Sequence, residues 1–201
     1  MTHMQPAPTV DPATGRIDGA TAHYEKVLRD LGGVFADKEA FAALLETEPG
    51  RPVYEVYEVQ RTTDAGDLIY GTSILLPGLV GDEFHVTRGH VHELADRTET
   101  YYCLQGHGLL LLESVDGEVE AIELRPGVVA YVPPARIHRS VNVGDAALVN
   151  LFCYPADAGH DYGIVAAANG LRELAVAADG GWQLVPNPHY RPRSLGAAAG
   201  S

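Results

Sequence analysis

Short apolar segments separated by glycine dominate the middle of the chain. The run VYEVYEV (53–59) alternates apolar and polar positions with period two, and so do parts of LIYGTSILL (68–76) and ETYYCLQ (99–105). Four further apolar runs follow: LLLLE (109–113), VEAIEL (119–124), VVAYV (128–132) and ALVNLFCY (147–154). Many short strand-like runs between turn residues, with no helix-length period among them, predict an antiparallel all-β sandwich or barrel.

The regions on either side of this β zone have a different pattern of apolar and polar residues. Asp37 followed by KEAFAALLE predicts a short helix, since Asp37 can cap its N-terminus and Phe41, Leu44 and Leu45 share one face. The sequence Gly-Arg-Pro at 50–52 ends this helix.

Residues 1–16 are rich in Pro, Thr and Asp and are expected to be irregular. Beyond the β zone, the stretch 164–177 is ambiguous between helix and strand, and WQLV (182–185) predicts a short strand. The chain is therefore divided into an N-terminal extension (1–50), a β-barrel (51–190) and a flexible tail (191–201), all within a single domain.

Composition narrows the function classes. Of 201 residues, 46% are hydrophobic, which is enough for a substantial core, and 27 acidic against 14 basic residues give a net charge of −13. A chain this acidic is a poor binder of nucleic acid or of anionic membrane, although one local basic pocket can still hold a small anion.

No apolar run approaches the roughly 18 residues that a membrane span needs. The N-terminus also lacks the basic-then-apolar layout of a secretory signal. Cys103 and Cys153 both lie inside apolar runs, which favours two buried free thiols over a disulfide. We expect a cytoplasmic protein.

The candidate chemistry lies in GHVHELADRTETYYCLQGHG (89–108). His90 and His92 are two residues apart, so on a strand both imidazoles lie on one face and can converge on one ion. Glu99 can supply an oxygen, and His138 closes a later segment that a folded-back sandwich can return beside the first. An isolated pair of this kind is more often unconnected surface histidines, but the four residues together favour a metal site. Three nitrogens and one oxygen suit Fe²⁺, Mn²⁺ or Ni²⁺ better than a closed structural zinc site.

These residues carry a family resemblance. GHVH (89–92), Glu99 and Gly106 resemble the first cupin motif, and four later residues resemble the second: Gly127, Pro133, His138 and Asn142. The gap of six residues between His92 and Glu99 is longer than in most cupins. That gap resembles the cupin-type phosphoglucose isomerases of archaea and some bacteria, as do TRGH (87–90), DRTE (96–99) and YPADAGHDYG (154–163).

The resemblance extends from about residue 10 to residue 188 and implies a cupin double-stranded β-helix, a jelly-roll barrel with a few short helices near its two ends. It further implies a metal-dependent isomerase that interconverts glucose 6-phosphate and fructose 6-phosphate. His90, His92, Glu99 and His138 would hold one divalent ion per subunit. Fe²⁺ or Mn²⁺ is expected first, with Ni²⁺ or Zn²⁺ as alternatives. A homodimer is also implied.

The resemblance also implies a sugar-phosphate pocket, whose lining would be Tyr54, Ser73, Thr87, Gly89, Tyr154, His160 and Tyr162. Ser73 departs from the threonine of the family pattern but keeps the hydroxyl. The hydroxyls, the phenols and the Gly89 amide can donate hydrogen bonds to phosphate oxygens. Arg88 or His160 could add positive charge.

Three other basic residues receive a plainer interpretation. His107 lies between two glycines and is expected to be a turn residue. Arg136 and Arg139 flank His138 and are expected at the solvated rim of the pocket.

Two routes can move hydrogen between C1 and C2 of a sugar. In the first, a carboxylate removes the C2 proton and the substrate passes through a cis-enediolate; Glu99 is then the favoured base. In the second, a metal assists a hydride shift and Glu99 serves as ligand and orienter. A glutamate that is tightly bound to a metal is a poor base, so the sequence leaves both routes open and favours the first.

Other functions remain as alternatives. A cupin dioxygenase or decarboxylase would use the same ligand set, and a cupin barrel could bind sugar or metal without catalysis. The six-residue gap and the hydroxyl-rich surroundings of His90 argue against the former, and the four retained ligands argue against the latter. Activity on mannose 6-phosphate, which differs only at C2, is left open.

Overall fold

The computed structural model describes residues 7–193, which form fifteen strands and two short α-helices. The first half contains β1 (Thr9–Val10), β2 (Ile17–Asp18), β3 (Ala22–Val27), a 3₁₀ helix (Leu28–Leu31), α1 (Lys38–Thr47), β4 (Pro52–Val59), β5 (Leu68–Leu75), β6 (Leu79–Val80) and β7 (Glu83–Phe84). The second half contains β8 (Glu99–Gln105), β9 (Gly108–Glu113), β10 (Val119–Leu124), β11 (Val129–Val132), β12 (Ile137–Asn142), β13 (Leu148–Pro155), α2 (Gly163–Ala167), β14 (Glu173–Ala178) and β15 (Gly181–Pro186).

Every strand pair is antiparallel. The largest sheet has six strands in the order β11-β8-β13-β5-β4-β3, and a smaller sheet has the order β10-β9-β12. A four-stranded sheet, β15-β14-β7-β6, lies beside them, and β1 pairs with β2. The buried apolar residues of these sheets form one hydrophobic cluster, so the sheets enclose a single core. This arrangement confirms the predicted all-β barrel.

Strand β9 shows how the core shapes the sequence. All six of its residues are buried, and it lies between β10 and β12. A strand that is covered on both faces has no polar side to present, which explains the continuous LLLL in place of alternation.

The segment between β7 and β8 runs beside β12 and brings the two motifs together. Val86 forms an antiparallel bridge with Val141, and His90 forms one with His138. A third bridge joins Val91 to Asp161, in the loop after β13. The histidine segment is therefore held between β12 and the 156–162 loop.

Most predicted elements are confirmed. The predicted helix begins after Asp37, whose carboxylate accepts a hydrogen bond from the Ala40 amide at 2.9 Å, and it continues to Thr47. The predicted strands correspond to β4, β5, β8, β9, β10, β11, β13 and β15. The ambiguous stretch 164–177 divides between α2 and β14. Strands β1, β2, β3, β6, β7 and β12 were not predicted.

The structure describes only part of the predicted C-terminal tail. Of the predicted tail, residues 194–201 lie outside the described residues, whereas Arg193 pairs with the buried carboxylate of Glu113. The three-part division of the chain stays a prediction.

None of the helices within residues 7–193 is long and apolar enough to cross a membrane. In the same part of the chain both cysteines are free, Cys103 buried and Cys153 half-buried.

Candidate metal centre and active-site cavity

Four side chains from three parts of the sequence converge inside the barrel. His90 and His92 come from the segment before β8, Glu99 is the first residue of β8, and His138 is the second residue of β12. One ligand atom from each lies within 4.8 Å of the others. The structure thus brings the four predicted ligands together, and they could bind a metal ion.

The hydrogen bonds of the histidines leave their inner nitrogens available. Nδ1 of His92 lies 3.0 Å from the Arg97 carbonyl oxygen, and Nδ1 of His138 lies 3.1 Å from the Arg136 carbonyl oxygen. A proton held on Nδ1 by a carbonyl leaves Nε2 with a free lone pair, which is how metal-binding histidines are usually oriented. Nε2 of His90 and of His92 are buried without a hydrogen-bond partner among residues 7–193. Buried polar atoms of this kind need a partner, and a cation fits both.

Glu99 is the anion of the cluster. Its carboxylate is 2% exposed; Oε2 lies 2.9 Å from Nε2 of His138 and 3.4 Å from Nε2 of His92. Burial alone would raise the pKa of this carboxyl, but the two imidazoles outweigh that effect and lower its pKa to about 2. Glu99 is therefore ionised at neutral pH, as a metal ligand must be.

The long gap between His92 and Glu99 has a structural explanation. It contains Arg97, whose carbonyl oxygen orients His92 and whose guanidinium makes two hydrogen bonds to Asp157, at 2.9 and 2.6 Å. Asp157 belongs to the 154–163 motif. The loop between His92 and Glu99 and the 154–163 segment therefore hold each other in place beside the four candidate ligands.

A cavity opens directly onto this cluster. His90 and Glu99 line it, while His92 and His138 lie deeper and are 4% and 1% exposed. All seven residues that the resemblance assigned to the sugar-phosphate pocket line the same cavity: Tyr54, Ser73, Thr87, Gly89, Tyr154, His160 and Tyr162. They come from β4, β5, β13 and the two loops, so only the fold assembles them.

Thr87 is prepared to donate a hydrogen bond into the cavity. Its amide donates to the Ser140 carbonyl oxygen at 3.0 Å, and the Ser140 amide donates to its hydroxyl oxygen at 3.0 Å. A hydroxyl that accepts from the backbone keeps its own hydrogen for another acceptor. The predicted contact between Thr87 and an anion needs this free hydrogen, and the contact itself stays a prediction.

The cationic residue of the pocket wall is Arg88. Burial lowers the pKa of His160 to about 4, so this imidazole is neutral at pH 7. The guanidinium of Arg88 lies over the ring of Tyr162, 5.3 Å from its centroid. Of the two predicted sources of positive charge, the structure favours Arg88.

Sequence reasoning missed several residues of the cavity, namely Tyr24, Val56, Glu58, Tyr101, Ser140 and Phe152. Glu58 is the second carboxylate there, and burial raises its pKa. Its position follows from the alternation in β4, since Tyr54, Val56 and Glu58 occupy every second position and therefore share one face. Nothing in the sequence pointed to Tyr24, because the β3 sequence AHYEKV does not alternate apolar and polar residues along its whole length.

The prediction that Arg139 lies at a solvated rim is wrong. Its side chain is 3% exposed and donates from Nη2 to the Arg88 carbonyl oxygen at 2.7 Å. Because β12 is covered on both faces, all six of its residues are buried. Arg136 is half-buried, and His107 is a turn residue between β8 and β9, as predicted.

Comparison with known proteins agrees with this geometry. The family model described as Glucose-6-phosphate isomerase (GPI) matches residues 25–193. The chain belongs to this glucose-6-phosphate isomerase family. A glucose-6-phosphate isomerase from Sinorhizobium medicae is 49% identical over 191 residues, 94% of this chain and 89% of that protein. The enzyme of the same name from Pyrococcus furiosus is 43% identical over 182 residues, 90% of this chain and 95% of that protein.

The glucose-6-phosphate isomerase match confirms both the predicted resemblance and the predicted activity, because the match covers the described barrel and all the candidate site residues. Among solved structures, that of an oxalate oxidase aligns with a TM-score of 0.44 and 19% identity over 53% of each chain. That likeness is too weak to bear on fold or function.

Proposed function

We propose that the cavity binds the sugar phosphate and that isomerisation between glucose 6-phosphate and fructose 6-phosphate takes place at its inner end. The convergence of His90, His92, Glu99 and His138 at the floor of a cavity lined by hydroxyl donors supports this most directly. The floor supplies ligands for a metal, and the walls supply donors for a phosphate.

The phosphate end of the substrate is assigned to the donors of the wall. Thr87, Ser73 and the Gly89 amide can donate to phosphate oxygens, and the phenols of Tyr54 and Tyr162 can add two more hydrogen bonds. Burial raises the pKa of Tyr54 to about 12, so its phenol keeps its proton at neutral pH and remains a donor. With the phosphate held there, C1 and C2 lie toward the cluster.

One divalent ion is assigned to the four ligands, with Fe²⁺ or Mn²⁺ preferred and Ni²⁺ or Zn²⁺ as alternatives. Three imidazoles and one carboxylate leave coordination positions open on an ion that prefers more than four ligands. When bound, the ion supplies a Lewis acid that stabilises negative charge developing on the substrate oxygens.

Glu99 is assigned the proton transfer. Starting from the aldose, its carboxylate takes the proton from C2, and the electron pair of the broken C–H bond forms the C1–C2 double bond of a cis-enediolate. The π electrons of the C1 carbonyl move onto O1, which takes the proton of the C2 hydroxyl. The same carboxyl then returns its proton to C1 as the C2–O bond becomes the carbonyl of the ketose. The low pKa of Glu99 in the free protein makes it a weak base, so this step requires its environment to change when substrate binds.

An assay on fructose 6-phosphate, coupled to glucose-6-phosphate dehydrogenase, tests the function. EDTA-stripped protein is compared with the same protein given Mn²⁺, Fe²⁺ or Ni²⁺. His138→Ala is the site variant, and His107→Ala is its matched control because His107 is a turn residue that bonds to Glu123 away from the cavity. We expect activity that depends on metal, is lost by at least about 100-fold in His138→Ala, and is unchanged in His107→Ala.

Absence of activity with every metal, in protein shown to be folded and metal-loaded, would reject the isomerase function. Oxygen consumption with small diketones or dicarboxylates would then test the dioxygenase alternative. For the mechanism, substrate deuterated at C2 is turned over in water. Loss of label to solvent supports proton transfer by Glu99, whereas complete retention at long times supports the hydride shift.

We also propose that the protein acts as a homodimer in the cytoplasm. Tyr102, Val129 and Tyr131 are exposed apolar residues on β8 and β11, and Val129 pairs directly with Tyr102. This patch continues to the open edge of the six-stranded sheet, where a second copy could cover both apolar side chains and unpaired backbone groups. Two free cysteines suit a reducing compartment.

A further inference from the structure

A buried guanidinium lies directly behind the proposed phosphate site. Arg139 follows His138 in β12 and is 3% exposed. Its Nη2 donates to the Arg88 carbonyl oxygen at 2.7 Å. Gly89 packs against the same side chain so closely that a Cβ there would lie 3.1 Å from Cβ and 3.2 Å from Nε of Arg139. Arg139 therefore touches the back of the Arg88–Gly89 main chain, whose front lines the cavity.

The charge of Arg139 has no ion-pair partner in the described part of the chain. Glu83 is the carboxylate whose charge acts on it, but Glu83 is not within ion-pair distance and instead accepts a hydrogen bond from the Ala36 amide at 2.9 Å. Nε of Arg139 is buried, and no residue from 7 to 193 accepts a hydrogen bond from it. Burying a charge without a close counter-ion is costly, and proteins keep such a group only where something compensates it.

The neighbours of Arg139 are the phosphate donors themselves. Ser140, the next residue, exchanges two hydrogen bonds with Thr87, and Gly89 offers its amide from a backbone with φ of 75°. A phosphate held by Thr87 and Gly89 lies across one layer of main chain from the guanidinium. Across so short a distance in a poorly solvated interior, the attraction between opposite charges is strong.

We propose that Arg139 is the fixed counter-charge of the substrate's phosphate and the residue that gives the cavity its preference for a phosphorylated over an unphosphorylated sugar. It is a positioning residue, because it does not touch the phosphate and its charge acts across the Arg88–Gly89 main chain. The proposal rests on the proposed function only for the location of the phosphate. The chain has a net charge of −13, so a buried cation beside the cavity supplies the local positive potential that favours binding of an anion.

The test measures binding of inorganic phosphate by isothermal titration calorimetry, with displacement by fructose 6-phosphate, and then KM and kcat for fructose 6-phosphate. Arg139→Gln removes the charge and keeps a polar side chain, and Arg139→Lys keeps the charge. Arg125→Gln is the control, an exposed cation between β10 and β11 whose guanidinium bonds to Glu123 away from the cavity. We expect phosphate binding to weaken at least about tenfold in Arg139→Gln, KM to rise in parallel, and kcat to change by less than about threefold. Arg139→Lys restores most of the phosphate affinity, and Arg125→Gln matches the wild type.

Three results would overturn the proposal: phosphate affinity in Arg139→Gln within twofold of the wild type, no phosphate binding in the wild type, or a joint fall of kcat and metal content that Arg139→Lys does not rescue. The last result would mean that Arg139 only supports the fold. If Arg139→Gln does not fold, Arg139→Met replaces it, since it keeps the packing of the aliphatic stem. The binding measurement needs no turnover, so wild-type protein that binds phosphate but does not isomerise would reject the proposed function alone.

Discussion

Arg97 shows how a residue outside the ligand set can govern it. Its carbonyl oxygen orients the imidazole of His92, and its guanidinium is held by two hydrogen bonds to Asp157. Groups that orient a metal ligand typically change metal affinity by about 10–100-fold when they are removed. The Arg97–Asp157 pair is therefore a support of the metal site and not a surface ion pair of small effect.

Asp157→Asn is expected to weaken Mn²⁺ binding by about tenfold, because the loop carrying the Arg97 carbonyl loses its anchor. The measurement is calorimetric titration of EDTA-stripped, dialysed protein. Asp96→Asn is the matched control, since Asp96 also contacts Arg97, at 2.9 Å, but its side chain is 77% exposed. Equal affinity in both variants would contradict the role given to Asp157.

His85 is a buried histidine outside the metal site. It is fully buried; Nδ1 lies 3.1 Å from the Leu76 carbonyl oxygen, and Nε2 has no partner among residues 7–193. Burial lowers its pKa to about 4. An ordinary histidine in the unfolded chain takes up a proton at higher pH than this one, so acid favours the unfolded state.

The contribution of His85 to stability is thus present above pH 6.5 and is lost as the pH falls toward 4. Between pH 8 and pH 4.5, the wild type should lose about 2–3 kcal/mol more of its free energy of unfolding than His85→Gln. Urea unfolding at several pH values, with EDTA present in all samples, measures this difference. Parallel pH profiles for the two proteins would refute the assignment.

At the scale of elements, β12 explains which part of the barrel is hardest to recognise. Its sequence IHRSVN has no apolar alternation, yet all six residues are buried. Three of the four polar residues are compensated by separate partners: His138 by Glu99, Ser140 by Thr87, and the Asn142 amide by two backbone carbonyls. Each of these partners lies far away in sequence or depends on a turn, so a single-sequence pattern cannot reveal the strand.

The pairing of β4 with β5 depends on the absence of a side chain at Gly71. A Cβ at this position would overlap the Tyr57 carbonyl oxygen in β4 and would lie 2.7 Å from the ring of Phe152 in β13. Neither the backbone nor the packed ring can move without separating strands that carry Tyr54, Ser73 and Tyr154.

Gly71→Ala is therefore expected to lower the free energy of unfolding by about 2–3 kcal/mol through steric overlap. Gly66→Ala is its control, because a Cβ at Gly66 meets nothing within 4 Å; that change should stay within about 0.5 kcal/mol of the wild type. Denaturant unfolding of both variants gives the comparison. Similar stabilities would show that the sheet adapts where we expect it not to.

At the scale of the whole molecule, an apolar patch on β8 and β11 stays exposed in the structure of residues 7–193. Val129 is 65% exposed, Tyr131 53% and Tyr102 40%. The proposed dimer would bury all three.

Light scattering after gel filtration should give a mass of about 43 kDa for the wild type, twice the 21.5 kDa chain. Tyr131→Glu should give the mass of one chain, since it places a charge in the centre of the patch. Leu79→Glu, at an exposed apolar position of the four-stranded sheet, should leave the dimer intact. A monomeric wild type at micromolar concentration would remove the dimer from the proposal.

The sequence by itself determined the fold class, the short helix after Asp37 and the identities of His90, His92, Glu99 and His138. These features rest on local information, namely alternation, capping and motif spacing, which is written in neighbouring residues. The family resemblance added the residues of the pocket wall, because its motifs fix their positions in the chain.

Only the tertiary structure decided that Arg139 is buried, that Glu58 and Tyr24 line the cavity and that Asp157 holds the loop of Arg97. It also decided that Nε2 of His90 and of His92 have no hydrogen-bond partner within residues 7–193. All these facts depend on contacts between residues about fifty or more positions apart or on the burial of a polar strand. Burial and long-range pairing are properties of the assembled barrel, and a polar residue looks the same in sequence whether its partner is water or another strand.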